Sequence, residues 1–148
     1  MKQSSFNVNK AEDSLGLLLW QTTMTWQRQI KNALEPYDIS HAQFVILAIL
    51  LWLTEQETVP IQSDIINMSK LDKMTVSKAL KKLTIERYVK RQEHGIDTRA
   101  KIVILTPKGN LLAKRLVPLI EQIDDAFFGK INIADRKLLS TLMTVLNK

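Results

Sequence analysis

The strongest constraint on this chain is a run of ten uninterrupted apolar residues, Phe44–Leu53. A bilayer-spanning helix needs about 20 such residues. This run is half that length, so it reads as a buried helix at the centre of a core, apolar on every face and covered on all sides. Ser40 with Gln43 three residues on marks its start as a capping box. Upstream, Leu15, Leu19, Thr22, Trp26, Ile30 and Ala33 repeat at helical spacing, with Leu18 and Leu34 widening the stripe. The pattern predicts a long amphipathic helix over residues 11–35, ended by Pro36.

Downstream, TEQET (54–58) is a polar link, and Pro60 suits the first turn of a helix whose buried stripe is Ile61, Ile65 and Met68. MSKL (68–71) is a turn. Asp72 caps a further helix to about Glu86, with Val76, Ala79, Leu80 and Leu83 facing the core. The period then drops to two. Val89–Glu93 and the β-branched run Ile102–Leu105 flank the polar loop HGIDTRA, which reads as a β-hairpin with a long loop. Thr106-Pro107 starts a long helix to about Phe128; Pro118 inside it should kink or break it, and Gly129 should close it. A last helix from about Asn132 is expected to bury Leu138, Leu142, Val145 and Leu146. The predicted fold is mainly α with a small β-hairpin wing: a winged helix-turn-helix over 36–106, flanked by outer helices in 1–35 and 107–148. Those outer helices carry more leucine and isoleucine than one small winged head can cover, so they are expected to form a helical dimerisation region.

Charge is unevenly spread. Of the net +6, residues 72–101 carry nine positive and four negative side chains, net +5, while residues 1–71 are net −2. A concentrated basic patch suits a polyanion such as nucleic acid, or is simply a solvated face. On a helical wheel, Met74, Lys78 and Lys81 lie about 180° from the core face, with Ser77 and Lys82 flanking and Thr75 in the first turn. Lysines, hydroxyls and one thioether can meet guanine edges, phosphates and thymine methyls in a major groove.

Several chemistries find no support. There are no cysteines, which excludes disulfides, thiol redox sites and cysteine-bound zinc. The only histidines, His41 and His94, lack ligand spacing, so no metal is expected. Asp38, Ser40 and His41 are better explained by capping than as a triad, and no catalytic residue is assigned. Asp124 and Asp125 are adjacent on a helix and read as solvated. With Gly16, Gly95, Gly109 and Gly129 as its only glycines, the chain has no phosphate loop, and no cofactor is expected. The first residues, MKQSSFNVNKAEDS, lack the apolar region of a signal peptide, so the expectation is a cytoplasmic protein with no membrane partner.

The stretch 71–109 resembles the MarR family of winged-helix transcriptional regulators. The resemblance rests on Thr75-Val76-Ser77-Lys78, Leu83, Val89-Lys90-Arg91, Asp97-x-Arg99-x-Lys101, Val103, Leu105-Thr106 and Gly109, with Ile39-Ser40, Gln43-Phe44 and Leu47 upstream. It implies a homodimeric regulator, a repressor, on a pseudo-palindromic operator in double-stranded DNA. By position, Thr75, Ser77 and Lys78 would read the major groove, and Arg99, braced by Asp97, would enter the minor groove. Met74, Lys81, Lys82 and Lys101 complete the candidate DNA-binding set. The family also implies a small aromatic or anionic effector, for which Trp20, Met24 and Trp26 are candidate contacts. The alternative is a winged-helix module that binds RNA or a protein. One departure stands out: where the family has glycine after the recognition helix, this chain has Arg87-Tyr88. A left-handed residue there costs roughly 1 kcal/mol without glycine, so a different corner geometry is expected.

The wing reading can be tested by charge. Arg99→Ala should weaken binding most where the flanks are A·T-rich, because a narrow groove deepens the negative potential. Asp97→Ala should reproduce part of that loss although it removes a negative charge. Tighter operator binding by Asp97→Ala at moderate salt would remove Asp97 from any bracing role.

Overall fold

The computed structural model describes residues 3–93, 95–96 and 100–148. The wing candidates Asp97 and Arg99 therefore lie outside the described residues, as does His94. Six helices and one hairpin follow in the order α1 (Leu15–Leu34), α2 (His41–Glu55), α3 (Gln62–Ser69), α4 (Lys73–Ile85), β1 (Val89–Glu93), β2 (Lys101–Leu105), α5 (Pro107–Phe128) and α6 (Ile133–Leu146). This is a winged helix-turn-helix, mainly helical, with additional helices on both sides in sequence.

The first helix starts later than its periodicity suggests. Residues Ala11–Asp13 form a 3-10 turn, and Ser14 caps α1 by accepting from the Leu17 N–H at 3.2 Å. A second 3-10 turn, Glu35–Tyr37, carries Pro36 and leads to Asp38 in the left-handed region. The chain bends there by 82° into α2. Ser40 and Gln43 form the reciprocal capping box, at 3.1 and 3.0 Å. Gln43 is buried, and the box satisfies its backbone N–H and side-chain oxygen.

Around α2 the core closes. Ile46, Leu47 and Leu50 are fully buried, against Ile30 and Leu34 of α1, Ile65 of α3, Val76, Leu80 and Leu83 of α4, Val103 of β2, and Ala113, Leu116 and Ile120 of α5. The core thus spans both segment boundaries expected from sequence. Enclosure is incomplete on one side: Val45, Ala48 and Leu53 are half-buried, and Trp52, 57% exposed, borders an open apolar groove with Met68 of α3. Met68 is therefore not part of the buried stripe. Neither is Pro60 in a helix. It lies in an extended segment whose carbonyl accepts from the Val103 N–H at 3.0 Å, while Ile61 bridges Ile102. Proline cannot donate, so this edge position suits it. Helix α3 begins only at Gln62, with the Asp64 carboxylate accepting from the Ile61 N–H at 3.1 Å.

The hairpin pairs antiparallel in the register Val89↔Leu105, Arg91↔Val103, Glu93↔Lys101. Only Val89 of β1 is buried; the rest of that strand faces water. Of the kink or break expected at Pro118, the break does not occur: helix α5 runs unbroken through it. Pro118 and Lys114 are both exposed there, so the carbonyl deprived of its helical donor can face water. Gly129 ends the helix, but in the right-handed region at φ −66°, not in a left-handed cap. The largest difference is at the chain's two ends. Leu15, Leu19 and Trp20 are exposed, and α6 has no buried residue: Leu138, Leu142, Val145 and Leu146 are each more than half exposed. Among the described residues of one copy, nothing covers these stripes.

The corner after α4 is left-handed despite the missing glycine. Arg87 has φ 64°. Its N–H donates to Thr84 O at 3.0 Å, and the Tyr88 N–H to Leu83 O at 2.9 Å, which closes the helix as a glycine would. The start of α5 holds the corner in place. Thr106 Oγ1 donates to Arg87 O at 2.6 Å, the Thr106 N–H to Tyr88 O at 3.0 Å, and Lys108 Nζ to Glu86 O at 2.9 Å. The approach is so close that a Cβ on Gly109 would stand 1.9 Å from Tyr88 O.

Two substitutions separate strain from close approach. Arg87→Gly should raise stability by about 0.5–1 kcal/mol, since it removes the left-handed penalty at an exposed position. Gly109→Ala should lower it by about 1–3 kcal/mol, because the corner must shift to admit the methyl group. Urea denaturation of both variants checks the pair; a destabilised Arg87→Gly would show that Arg87 is held without strain.

Candidate nucleic-acid interface

Helix α4 is set by its cap. Asp72 Oδ1 accepts from the Thr75 N–H at 2.8 Å, and Oδ2 from the Thr75 hydroxyl at 2.8 Å. The backbone bond from Thr75, followed by its hydroxyl bond, pushes the Asp72 carboxyl below the usual carboxylate range. With Val76, Ala79, Leu80 and Leu83 buried, the opposite face is left to solvent: Met74 is 82% exposed, and Lys78 and Lys81 are exposed beside it. Thr75 and Ser77 are half-buried. Lys82 sits half-buried with its ammonium 3.8 Å from Asp38, a solvent-screened pair worth little.

Helix α3 lies against α4 and contributes a contact that sequence reasoning missed. Gln62 Nε2 donates to Ser77 Oγ at 3.2 Å. The two residues are fifteen apart, and nothing in the spacing of either helix announces the pair. Lys70 in the left-handed region, φ 61°, makes the turn between the helices. On the hairpin, Lys101 is exposed opposite Glu93, with Lys90 and Arg91 exposed on the neighbouring strand. The structure thus brings Met74, Thr75, Ser77, Lys78 and Lys81 onto one helix surface, with Lys82 at its rear edge. It places Lys101 on the wing.

A separate cleft of about 370 Å³ opens between α1 and the start of α2, lined by Met24, Gln27, Arg28, Lys31, Ser40 and His41. Of the three effector candidates, Met24 lines it. Trp20 is 63% exposed nearer the start of α1. Trp26 is half-buried, with its ring edge-on to His41 at 5.1 Å and its Nε1 donating to Asp124 Oδ1 at 2.8 Å. Asp124 is consequently not a purely solvated carboxylate: it ties α5 to α1. Burial pushes His41 below the usual histidine value, and the Asp124 charge opposes that shift without cancelling it. Among the described residues no cluster of His, Asp or Glu could hold a metal ion. No single helix among them is long and apolar enough to cross a membrane.

Comparison with known proteins agrees with this geometry. The ArnR1-like winged-helix domain family matches residues 35–123. The HTH-type transcriptional regulator YdcH of Bacillus subtilis is 32% identical over 116 residues, which is 78% of this chain and 79% of the relative. Among solved structures, BpsR of Bordetella bronchiseptica, whose DNA binding is regulated by 6-hydroxynicotinic acid, superimposes with a TM-score of 0.84 at 23% identity. The match covers 96% of this chain and 99% of BpsR. A mutant MarR of E. coli complexed with operator DNA gives 0.77 at 20% identity, over 89% and 92% of the two chains.

The half-buried histidine makes stability pH-dependent. In the unfolded chain His41 takes up its proton near pH 6.5, whereas the folded state resists protonation until lower pH. The unfolded state therefore binds more protons in that window, and stability falls as pH drops through 6.5. Urea unfolding at stepped pH should show this loss, and His41→Gln should flatten it. An unchanged slope in the variant would assign the loss to other groups.

Proposed function

Because the chain belongs to the MarR family of winged-helix transcriptional regulators, we propose that it acts as a homodimeric repressor on a pseudo-palindromic operator. In this reading two copies of α4 enter successive major grooves and the wing arginine, Arg99, enters the adjacent minor groove. The observation that carries it is the outward face of α4. A methionine 82% exposed between two exposed lysines is poorly placed in water, and well placed against thymine methyls and phosphates. Repression needs only occupancy of the promoter, which a reading head and a dimer contact supply.

Dimerisation is supported by the apolar stripes left uncovered on α1 and α6. Leu15, Leu19, Trp20, Leu138, Leu142 and Leu146 are all more than half exposed. Exposed apolar surface of that kind usually marks an interface. Residues 1–35 and the later part of 107–148 are therefore the proposed dimer contact. An anionic effector is proposed for the α1–α2 cleft, where Arg28 and Lys31 flank Met24 and His41. That cleft joins a dimerisation helix to the reading head, so a ligand wedged there would change the spacing of the two recognition helices. The ring carboxylate named for BpsR has the matching charge.

Sedimentation should give a dimer at micromolar concentration, and Leu142→Glu with Leu146→Glu should give a monomer of unchanged helicity. Selection from random duplexes should return a palindrome with half-site centres about 34–36 Å apart. With about three or four basic side chains on phosphates per subunit, log affinity should fall against log salt with a slope of about −5 to −7. A stable parental monomer would overturn the dimer, and a slope shallower than about −2 would show that the basic face is not the docking surface.

A further inference from the structure

Two hydroxyls flank the exposed strip of α4, and each is engaged from outside that strip in the opposite sense. Thr75 Oγ1 donates its proton to Asp72 Oδ2 at 2.8 Å. A hydroxyl has one proton and two lone pairs, so Thr75 then has only lone pairs to offer a ligand. Ser77 Oγ, by contrast, accepts from Gln62 Nε2 at 3.2 Å. Its own proton is not given to the helix backbone, unlike that of Thr84, which donates to Leu80 O at 2.7 Å. Ser77 keeps a proton to donate.

We infer that Asp72 is a specificity-determining positioning residue that holds Thr75 as a hydrogen-bond acceptor, whereas Gln62, which takes up one lone pair of Ser77, leaves that hydroxyl able to donate or accept. This rests on the reading that α4 enters a major groove. The consequence follows from the chemistry of base edges. Phosphate oxygens only accept, so a Thr75 whose proton is engaged gains nothing from the backbone. It gains from the exocyclic amines of adenine or cytosine. Ser77 can donate to guanine N7 and O6, adenine N7 or thymine O4, and with its remaining lone pair can accept from the amines of adenine or cytosine. Thr75 therefore discriminates at one position of each half-site, while Ser77 tolerates every base edge at another.

Two nearly isosteric substitutions change these senses independently. Gln62→Glu replaces the donor with an acceptor, which draws the Ser77 proton inward. Asp72→Asn keeps a good helix cap but presents an amide donor to Thr75, which turns the Thr75 proton outward. Binding selection from random duplexes is run on the full-length parent and each variant, with thermal unfolding as a check on folding. In the parent, the Thr75 position of each half-site should favour adenine or cytosine, and the Ser77 position should show no preference between donor and acceptor edges. Asp72→Asn, which leaves Thr75 a proton and a lone pair, should relax the first position, and Gln62→Glu, which leaves Ser77 only lone pairs, should make the second disfavour guanine and thymine. Each change should be roughly fivefold or more in relative affinity, at that position alone. The charge change in either variant scales all sequences together and leaves the profile unmoved. On a Ser77→Ala background, Gln62→Glu should alter no preference. Gln62→Ala, which offers neither donor nor acceptor, should leave the second position as tolerant as in the parent. Profiles identical to the parent in folded variants would overturn the inference and leave the groove reading intact. A parent that selects no palindrome would overturn both.

Discussion

The fold depends on a helix that has almost no face to give to water. Burying α2 requires apolar surface on every side, and no single neighbour can supply it. The end of α1, then α3, α4, β2 and the first half of α5 each contribute buried residues to that enclosure. The reading head is what results when α3 and α4 are held on one flank of α2 by Ile65, Val76, Leu80 and Leu83. Because these side chains face inward, the opposite face of α4 has no partner within the head, and its lysines and methionine are left pointing out.

The same packing couples α4 to the hairpin and to the outer helices. The start of α5 grips the corner between α4 and β1 through three hydrogen bonds and a glycine contact too close for any side chain. A strained Arg87 is tolerated there because the surrounding bonds over-determine its conformation. At the other end of α5, Asp124 reaches the indole of Trp26, which packs on His41 at the start of α2. The outer helices and the start of α2 are thus tied together by side chains in direct contact.

Much of this was legible before any coordinates. The apolar run, the Ser40–Gln43 box, the Asp72 cap, the Thr106-Pro107 start and the change of period at Val89 each placed an element, because caps and periodicity are local properties. The failures share a cause. Pro60 was read as a helix start because proline suits that position, but a hydrogen bond from Val103, 43 residues away, holds it extended. Pro118 reads locally as a kink or a break, yet packing of Leu116 and Ile120 on the core keeps α5 continuous around it. Asp124 was read as solvated because its partner lies 98 residues away in sequence. The α6 stripe was read as core, and among the described residues of one copy nothing covers it.

By itself, the sequence determined what is local: which segments are helical, the caps at Ser40, Asp72 and Thr106, and which face of residues 73–85 is apolar. It also determined the sign and location of the charge, and the wing motif Asp97-x-Arg99 that pointed to a DNA-binding family. Only the tertiary structure decided which polar groups meet. The Trp26–Asp124 bond spans 98 residues, while the Gln62–Ser77 bond and the cleft flanked by Arg28 and Lys31 lie between consecutive helices whose relative placement no local pattern reveals. Their geometry depends on how helices pack around α2, and hydrogen bonds, unlike burial, require both partners to be placed to within a few tenths of an ångström.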